Sequence, residues 1–201
     1  MKKTLHLQSF LFCLEQEYIY ATIKAGESMK KVNLYVPKVK DLWFRQLVMS
    51  DPGSMSYNAG YDVSYAGYHY DTGCIDFPEE NWETWHKEKI ASGAIFYAYI
   101  QDSETKEFVG YLNYRKEGDK CMMGIVMHSK SQGQGYMRPA MKALIARAKQ
   151  DGITTICDNV PKSREHALRV FFDLGFIITN EYMTTKFGKD DPCYDIELKV
   201  K

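Results

Sequence analysis

Gly133 and Gly135 stand between an apolar run at 122–127 and a stretch whose apolar residues, Met137, Met141, Leu144, Ile145 and Ala148, recur at helical spacing. The pattern predicts strand, glycine turn, helix. A turn of this kind lets backbone N–H groups point outward at a helix N-terminus. Unpaired donors and the positive end of the helix dipole there favour an anion such as phosphate or pyrophosphate. A tight strand-to-helix connection with no ligand also accounts for two glycines. No Lys-Ser or Lys-Thr follows them and no third glycine completes a dinucleotide fingerprint, so the turn suggests neither ATP nor NAD.

The second group of residues suited to chemistry is the segment 54–76, SMSYNAGYDVSYAGYHYDTGCID, where five of the fifteen tyrosines fall between Tyr57 and Tyr70. Tyr57, Tyr61, Tyr65 and Tyr68 recur every three or four residues, but Gly60 and Gly67 interrupt any single helix. A loop or broken helix over a pocket is expected. Phenol faces can hold a cationic amine, and Asp62, Asp71 or Asp76 could supply charge or accept its proton. The bland alternative is that the rings pack beneath a long loop with their hydroxyls at the surface. Tyr57, Asn58, Tyr61, Asp62, Tyr68, His69 and Asp71 are therefore candidates for binding an acceptor. His86, His128 and His166 read as structural or surface groups.

These residues need a scaffold, and 201 residues with 45% hydrophobic and 26% charged content can bury one good core. Twenty-six basic residues balance twenty-six acidic ones, so no global field recruits nucleic acid or an anionic membrane. Cys13, Cys74, Cys121, Cys157 and Cys193 are odd in number and form no Cys-x-x-Cys pair, which points to reduced thiols in a cytoplasm and to no zinc site. The start, Met1-Lys2-Lys3 and LHLQSFLFCL, looks faintly like a secretory signal, but Glu15, Gln16 and Glu17 follow without a small-residue cleavage site. The run is too short to span a bilayer. Residues 1–28 read as an extension, either upstream of a natural start at Met29 or forming an added amphipathic helix or strand. The domain proper is expected over 29–201.

From residue 32 the elements follow in order. A short strand at 32–36 stops at Pro37, and 39–49 carries Leu42, Trp43, Gln46, Leu47 and Met49 at helical spacing. Asp51-Pro52-Gly53 ends that helix. Residues 78–90 read as a second helix with an acidic first turn, Glu79 and Glu80. Aromatic-rich strands at 94–100 and 108–114 and the run ending at Met127 form a meander. After the central helix come a strand at 153–157, a helix at 162–174, and a closing pair of strands at 176–184 and 194–200 joined through Gly188 and Pro192.

Gln132-Gly133-Gln134-Gly135-Tyr136-Met137 resembles the Gln/Arg-x-x-Gly-x-Gly/Ala signature of the GNAT N-acetyltransferase superfamily in all but the last position, and Leu174-Gly175-Phe176 is similar to its second mark. The element order is also that of the family, over 32–200. The resemblance implies an α/β (α+β) fold with a mixed, mostly antiparallel sheet of about seven strands and about four helices. It implies acetyl-CoA as cosubstrate and no metal. It places the pantetheine arm along the backbone of Ile125, Val126 and Met127, with an N–H near Met127 polarising the thioester. The N–H groups of Gln132, Gly133, Gln134, Gly135, Tyr136, Met137 and Arg138 would cradle the pyrophosphate.

Acetyl transfer from a thioester requires a neutral amine in line with the carbonyl, a donor for the oxyanion and a proton for the departing thiolate. Several positions depart from the family pattern. Met137 replaces a small residue and must turn away from the phosphates or into the core. Pro139 fits only the opening turns of a helix, so the helix should begin close to Gly135. Phe171 stands where many members carry a tyrosine that protonates the thiolate, which leaves Tyr182 or water as donor. Arg164 replaces an asparagine that bonds pantetheine; it could reach a CoA phosphate or be a solvated helix-start arginine. Asn159 could bond pantetheine or merely terminate its strand. The expected activity is direct transfer of an acetyl group to a primary amine of a small molecule or protein in a ternary complex, by a cytoplasmic monomer or homodimer. The rival readings are a catalytically weak CoA-binding module and a peptide-binding interaction domain.

Overall fold

The structure, a computed structural model, describes residues 30–200. The extension at 1–28, Cys13 and the candidate start at Met29 lie outside the described residues. Seven strands, β1 (Val32–Tyr35), β2 (Phe96–Asp102), β3 (Phe108–Glu117), β4 (Lys120–Met127), β5 (Thr155–Pro161), β6 (Ile177–Lys186) and β7 (Lys189–Lys199), form one sheet. Their order is β1-β2-β3-β4-β5-β7-β6. Every neighbouring pair is antiparallel except β4 with β5. Short turns suffice for the antiparallel pairs, whereas a parallel pair needs a long crossover. That crossover is α4 (Met137–Gln150).

Because side chains alternate along a strand, each strand feeds two cores. On one face Leu112, Met123, Ile156 and Ile196 pack against Met141, Leu144 and Ala148 of α4 and Leu168 and Phe171 of α5 (Glu165–Asp173). On the other face Tyr97, Tyr99, Tyr111 and Val126 meet Phe44 and Val48 of α1 (Trp43–Met49) and Met55 of α2 (Pro52–Met55). The α3 helix (Trp82–Trp85) widens into a π-helical stretch, His86–Ala91, and brings Trp82 and Trp85 to a third cluster with Leu42 and Phe77. Among the described residues no helix is long and apolar enough to cross a membrane.

Three local expectations change. Asp51-Pro52-Gly53 ends α1 but also starts α2, because the Asp51 carboxylate accepts from the N–H groups of Gly53 and Ser54 at 3.2 and 3.1 Å and Pro52 fits a first helical turn. The described residues thus hold five α-helices where about four were expected. Residues 39–49 split into a 3₁₀ turn at Val39–Asp41 and α1. Pro192 is not in a connection but in β7, opposite Met183. Its carbonyl accepts from Lys162 N–H just past the end of β5, so the missing proline N–H falls where no strand asks for it.

Gly110 on β3 shows how closely β3 and β4 approach: a Cβ there would lie 2.4 Å from the Val126 carbonyl oxygen and 3.0 Å from Met127 Cα. Gly110→Ala is expected to push the strands apart and to cost about 1–3 kcal/mol in urea unfolding. An unchanged midpoint would show that β4 can move freely at its C-terminal end.

Candidate active site

The parallel pairing of β4 and β5 covers only Lys120↔Thr155, Cys121↔Ile156 and Met122↔Cys157. Beyond it β4 continues on β3 as far as Met127↔Gly110, and β5 continues on β7 as far as Pro161↔Cys193. Residues 123–127 and 158–161 therefore run on without pairing to each other. Backbone donors and acceptors along such an edge seek partners, and an extended arm carrying amides can supply them. Ile125, Val126 and Met127 lie on this edge.

The open edge leads straight into the glycine turn. Gly133 and Gly135 have φ of +73° and +83°, and a Cβ at either position would meet nothing within 4 Å. The glycines are there for backbone conformation, with open space in front. The N-cap of α4, Tyr136, supplies no side-chain cap, so the first N–H groups of the helix are left for an outside acceptor. Other groups brace the turn from behind. The Gln132 amide donates to the carbonyls of Met127 and Gly53, both at 3.2 Å. Gln134 Nε2 donates to Lys130 O at 2.6 Å, and Ser129 N–H to Ser54 Oγ at 2.8 Å. The Tyr136 ring is buried, its hydroxyl donating to the Asp102 carboxylate at 2.6 Å. Arg138 pairs with Asp173, and Met137 packs against the main core. What the turn offers an anion is its backbone.

Asp51 braces the same turn. Burial works against its charge, but hydrogen bonds from Ser129, Ser54 and the Gly53 N–H, with His128 nearby, outweigh it and hold the carboxyl down at about 2. His128 Nε2 lies 3.9 Å from Asp51 Oδ2, and the side chain is nearly enclosed beside Phe44. His86 bonds the Pro37 carbonyl, and His166 is exposed.

Beyond the end of α2 at Met55 the tyrosine-rich segment folds as an irregular flap rather than a helix, apart from one 3₁₀ turn at Ser56–Asn58. It is clasped by the β6–β7 hairpin. Tyr61 Oη donates to Asp191 at 2.6 Å, Phe187 N–H to Gly60 O at 2.7 Å, and Lys186 Nζ to Tyr57 O at 3.1 Å. Phe187 sits so close that a Cβ on Gly60 would lie 2.5 Å from its ring. Tyr68 donates to Asn58 O and Asn58 to Gly73 O, so both are spent inside the flap. Asp62, His69 and Asp71 are exposed, and His69 pairs with Asp76 at 2.9 Å. Of the acceptor candidates, only Tyr57 and Tyr61 reach toward the sheet.

Tyr57 meets a charged group that sequence reading passed over. Asp158 is the first β5 residue beyond the pairing with β4, and it keeps part of its surface accessible. Burial lifts its carboxyl to about 7 against the opposing pull of the Asn159 N–H, 2.9 Å away, and of Arg164. The Arg164 guanidinium lies 4.9 Å from the Tyr57 ring centre. Tyr57 is pushed up mainly by burial, with Tyr111 and Asp158 adding and Arg164 and Arg45 opposing. Arg45 is buried over Trp85 at 4.3 Å and Phe77 at 4.9 Å and donates to Tyr97 Oη at 3.3 Å. Tyr182, opposite Cys193, is also pushed up, first by burial and then by Cys193 and Asp195. Asn159 does not terminate its strand; its amide is bonded to Asp195, and β5 runs on to Pro161. Phe171 is 2% exposed and packs on Phe176. A signal for Asp158 did exist: it shares a strand face with the core residues Ile156 and Val160, where a carboxylate is out of place.

The model of a family described as Acetyltransferase (GNAT) family matches residues 59–176, more than half of the 201-residue chain. The chain belongs to this family. It is an acetyltransferase of the GNAT type. No curated protein sequence matches it significantly. Among solved structures, a spermidine N-acetyltransferase from Vibrio cholerae in complex with CoA and spermine is similar with a TM-score of 0.69 at 15% identity, covering 85% of this chain and 96% of that one. A GNAT-family acetyltransferase from Bacillus anthracis gives 0.65 at 15% identity, covering 86% and 97%. At such identity these two speak for the fold of the acetyltransferase.

The depressed value of Asp51 makes stability depend on pH. An unfolded aspartate titrates near 3.9, so the stabilisation is complete above that value and is lost as pH falls toward 2. Asp51→Asn is expected to cost about 2 kcal/mol at pH 7, and its difference from the native chain in urea titrations should close between about pH 4 and pH 2. A difference that does not change with pH would leave the brace without its charge.

Proposed function

We propose that the protein lays the pantetheine arm of acetyl-CoA along Ile125, Val126 and Met127, seats the pyrophosphate on the N–H groups of residues 133–138, the Gln132 N–H being given to Ser129 O at 3.3 Å, and passes the acetyl group directly to a primary amine in a ternary complex. The observation that carries this reading is the unpaired edge of β4 running into the open glycine turn. The arm would complete the hydrogen bonding that β5 leaves unmade, and a backbone N–H of the free β4 edge would polarise the thioester carbonyl. Positioning supplies much of the rate, because the thioester is already activated.

The amine would approach under the flap, against Tyr57 and Tyr61. Phenol faces with hydroxyls that stay protonated suit an amine without binding it as tightly as a carboxylate would. A small molecule would suit a site roofed by a flap that the β6–β7 hairpin clasps, and the structural relative from Vibrio cholerae is a spermidine N-acetyltransferase. An exposed protein amine is the second acceptor class. A reading as a CoA-binding module with weak turnover draws on one observation: Phe171 is closed in the core and has no proton to give.

The test compares Gly135→Asp with Gly135→Asn. Both place a side chain at φ +83°, but only aspartate adds charge where phosphate should lie. Acetyl-CoA at about a hundred times its Kd is expected to stabilise the native chain by about 2.7 kcal/mol. The shift in melting temperature should largely survive in the asparagine variant and collapse in the aspartate variant. Equal shifts in all three proteins would sink the assignment of the turn.

A further inference from the structure

We propose that Asp158 is the proton carrier of the transfer: its carboxylate, at the inner end of the gap between β4 and β5, takes a proton from the attacking amine and returns it to the sulfur that leaves. The inference rests on the reading that this gap holds the thioester arm.

Placement comes first. Asp158 directly follows the last residue of β5 that pairs with β4, so it stands where the two strands part and faces a β4 edge, 123–127, that carries no titratable side chain. Its carboxylate is largely uncommitted: among the described residues it accepts from the neighbouring Asn159 N–H and belongs to no salt bridge. The groups facing it come from each element around the gap. Arg164 lies at the start of α5, Tyr57 in the flap and Tyr182 on β6, while Asp195 of β7 stands opposite Asn159, whose amide holds it on the other face of the sheet. Arg164 favours the ionised form and burial the neutral one. The balance near neutrality is what a group that both accepts and donates a proton needs. Other donors are poorly suited: Tyr57 and Tyr182 are pushed up, Phe171 is in the core, and His128 is nearly enclosed beside Asp51 and Phe44.

The step balances without a further reactant. The acceptor enters as the neutral amine. As the nitrogen–carbon bond forms, Asp158 takes one proton from the nitrogen. As the carbon–sulfur bond breaks, its electron pair stays on sulfur, and Asp158 gives the proton back to that sulfur. Amide and thiol leave, and Asp158 is again a carboxylate.

The test follows thiol release from acetyl-CoA between pH 5.5 and 9, with spermidine as the amine probe and with water alone, in parallel with calorimetry of acetyl-CoA binding. With spermidine, log kcat/KM should rise with a slope of two below about pH 7, where both the amine and Asp158 must lose a proton, and of one above it. Asp158→Asn should keep its acetyl-CoA affinity, lose about 10²-fold or more in kcat, and show a slope of one throughout. Asp158→Glu should recover part of the rate and the break in slope, which a merely structural residue would not do. With water, the limb near pH 7 should be present in the native enzyme and absent in Asp158→Asn. The inference is overturned if Asp158→Asn binds acetyl-CoA and keeps the native rate and profile. It is equally overturned if the native protein binds acetyl-CoA but releases no thiol with either acceptor. Failure of the native chain to bind acetyl-CoA would instead remove the proposed function beneath it, and calorimetry separates the two.

Discussion

Three residue pairs hold β4 to β5, and the rest of the molecule is arranged around the place where they stop. A sheet can tolerate such a parting only if each strand is secured on its other side. Here β4 is paired along its length with β3, and β5 along its length with β7. The helices enforce the same division, since α4 and α5 fill one face of the sheet while α1 to α3 fill the other. The gap is therefore a fixed part of the native fold, and a ligand that enters it completes a hydrogen-bonding pattern without having to break one.

Charge is distributed unevenly about this gap. At the glycine turn the positive potential comes from backbone N–H groups, and the side chains nearby are mostly occupied in bracing the turn. On the flap side two guanidinium groups are set among aromatic rings: Arg45 is buried over Trp85 and Phe77, and Arg164 lies on Tyr57. Rings stabilise a cation without neutralising it. The tyrosines there resist ionisation chiefly because they are buried. A carboxylate placed among such groups is pulled both ways, and at Asp158 burial outweighs the Arg164 guanidinium and the Asn159 N–H.

Much of this was legible in the sequence, for identifiable reasons. Gly133 and Gly135 announced the turn because a positive φ leaves few other choices, and the order of apolar runs gave the strands and helices because each run has one dominant period. Asp51-Pro52-Gly53 misled because a helix stop and a helix start are written with the same residues. Pro192 misled because a proline is excluded only where the neighbouring strand wants its N–H, and β5 has already ended there. Asp62, His69 and Asp71 looked suited to an amine by residue type, yet the folding of the flap turns them to the surface. Tyr136 belonged to the motif by position, yet its ring serves the core through Asp102. Asp158 was missed because its strand was expected to end at residue 157; only a strand that runs on to Pro161 puts this carboxylate on the face of Ile156 and Val160, beyond the parting from β4.

The clasp between the flap and the last hairpin also has a bearing on how the chain matures. Tyr61 and Asp191 are 130 residues apart, and the Phe187 to Gly60 bond spans nearly as far. At about 5–20 residues per second, a ribosome delivers the flap on the order of ten seconds before the hairpin that fastens it. During that interval a nascent chain has its glycine turn but no Asp191 for Tyr61 to bond and no Lys186 for the Tyr57 carbonyl, and β5 still lacks its antiparallel neighbour. Premature termination within β7 would leave the same product permanently, with β5 paired into the sheet through three residue pairs alone.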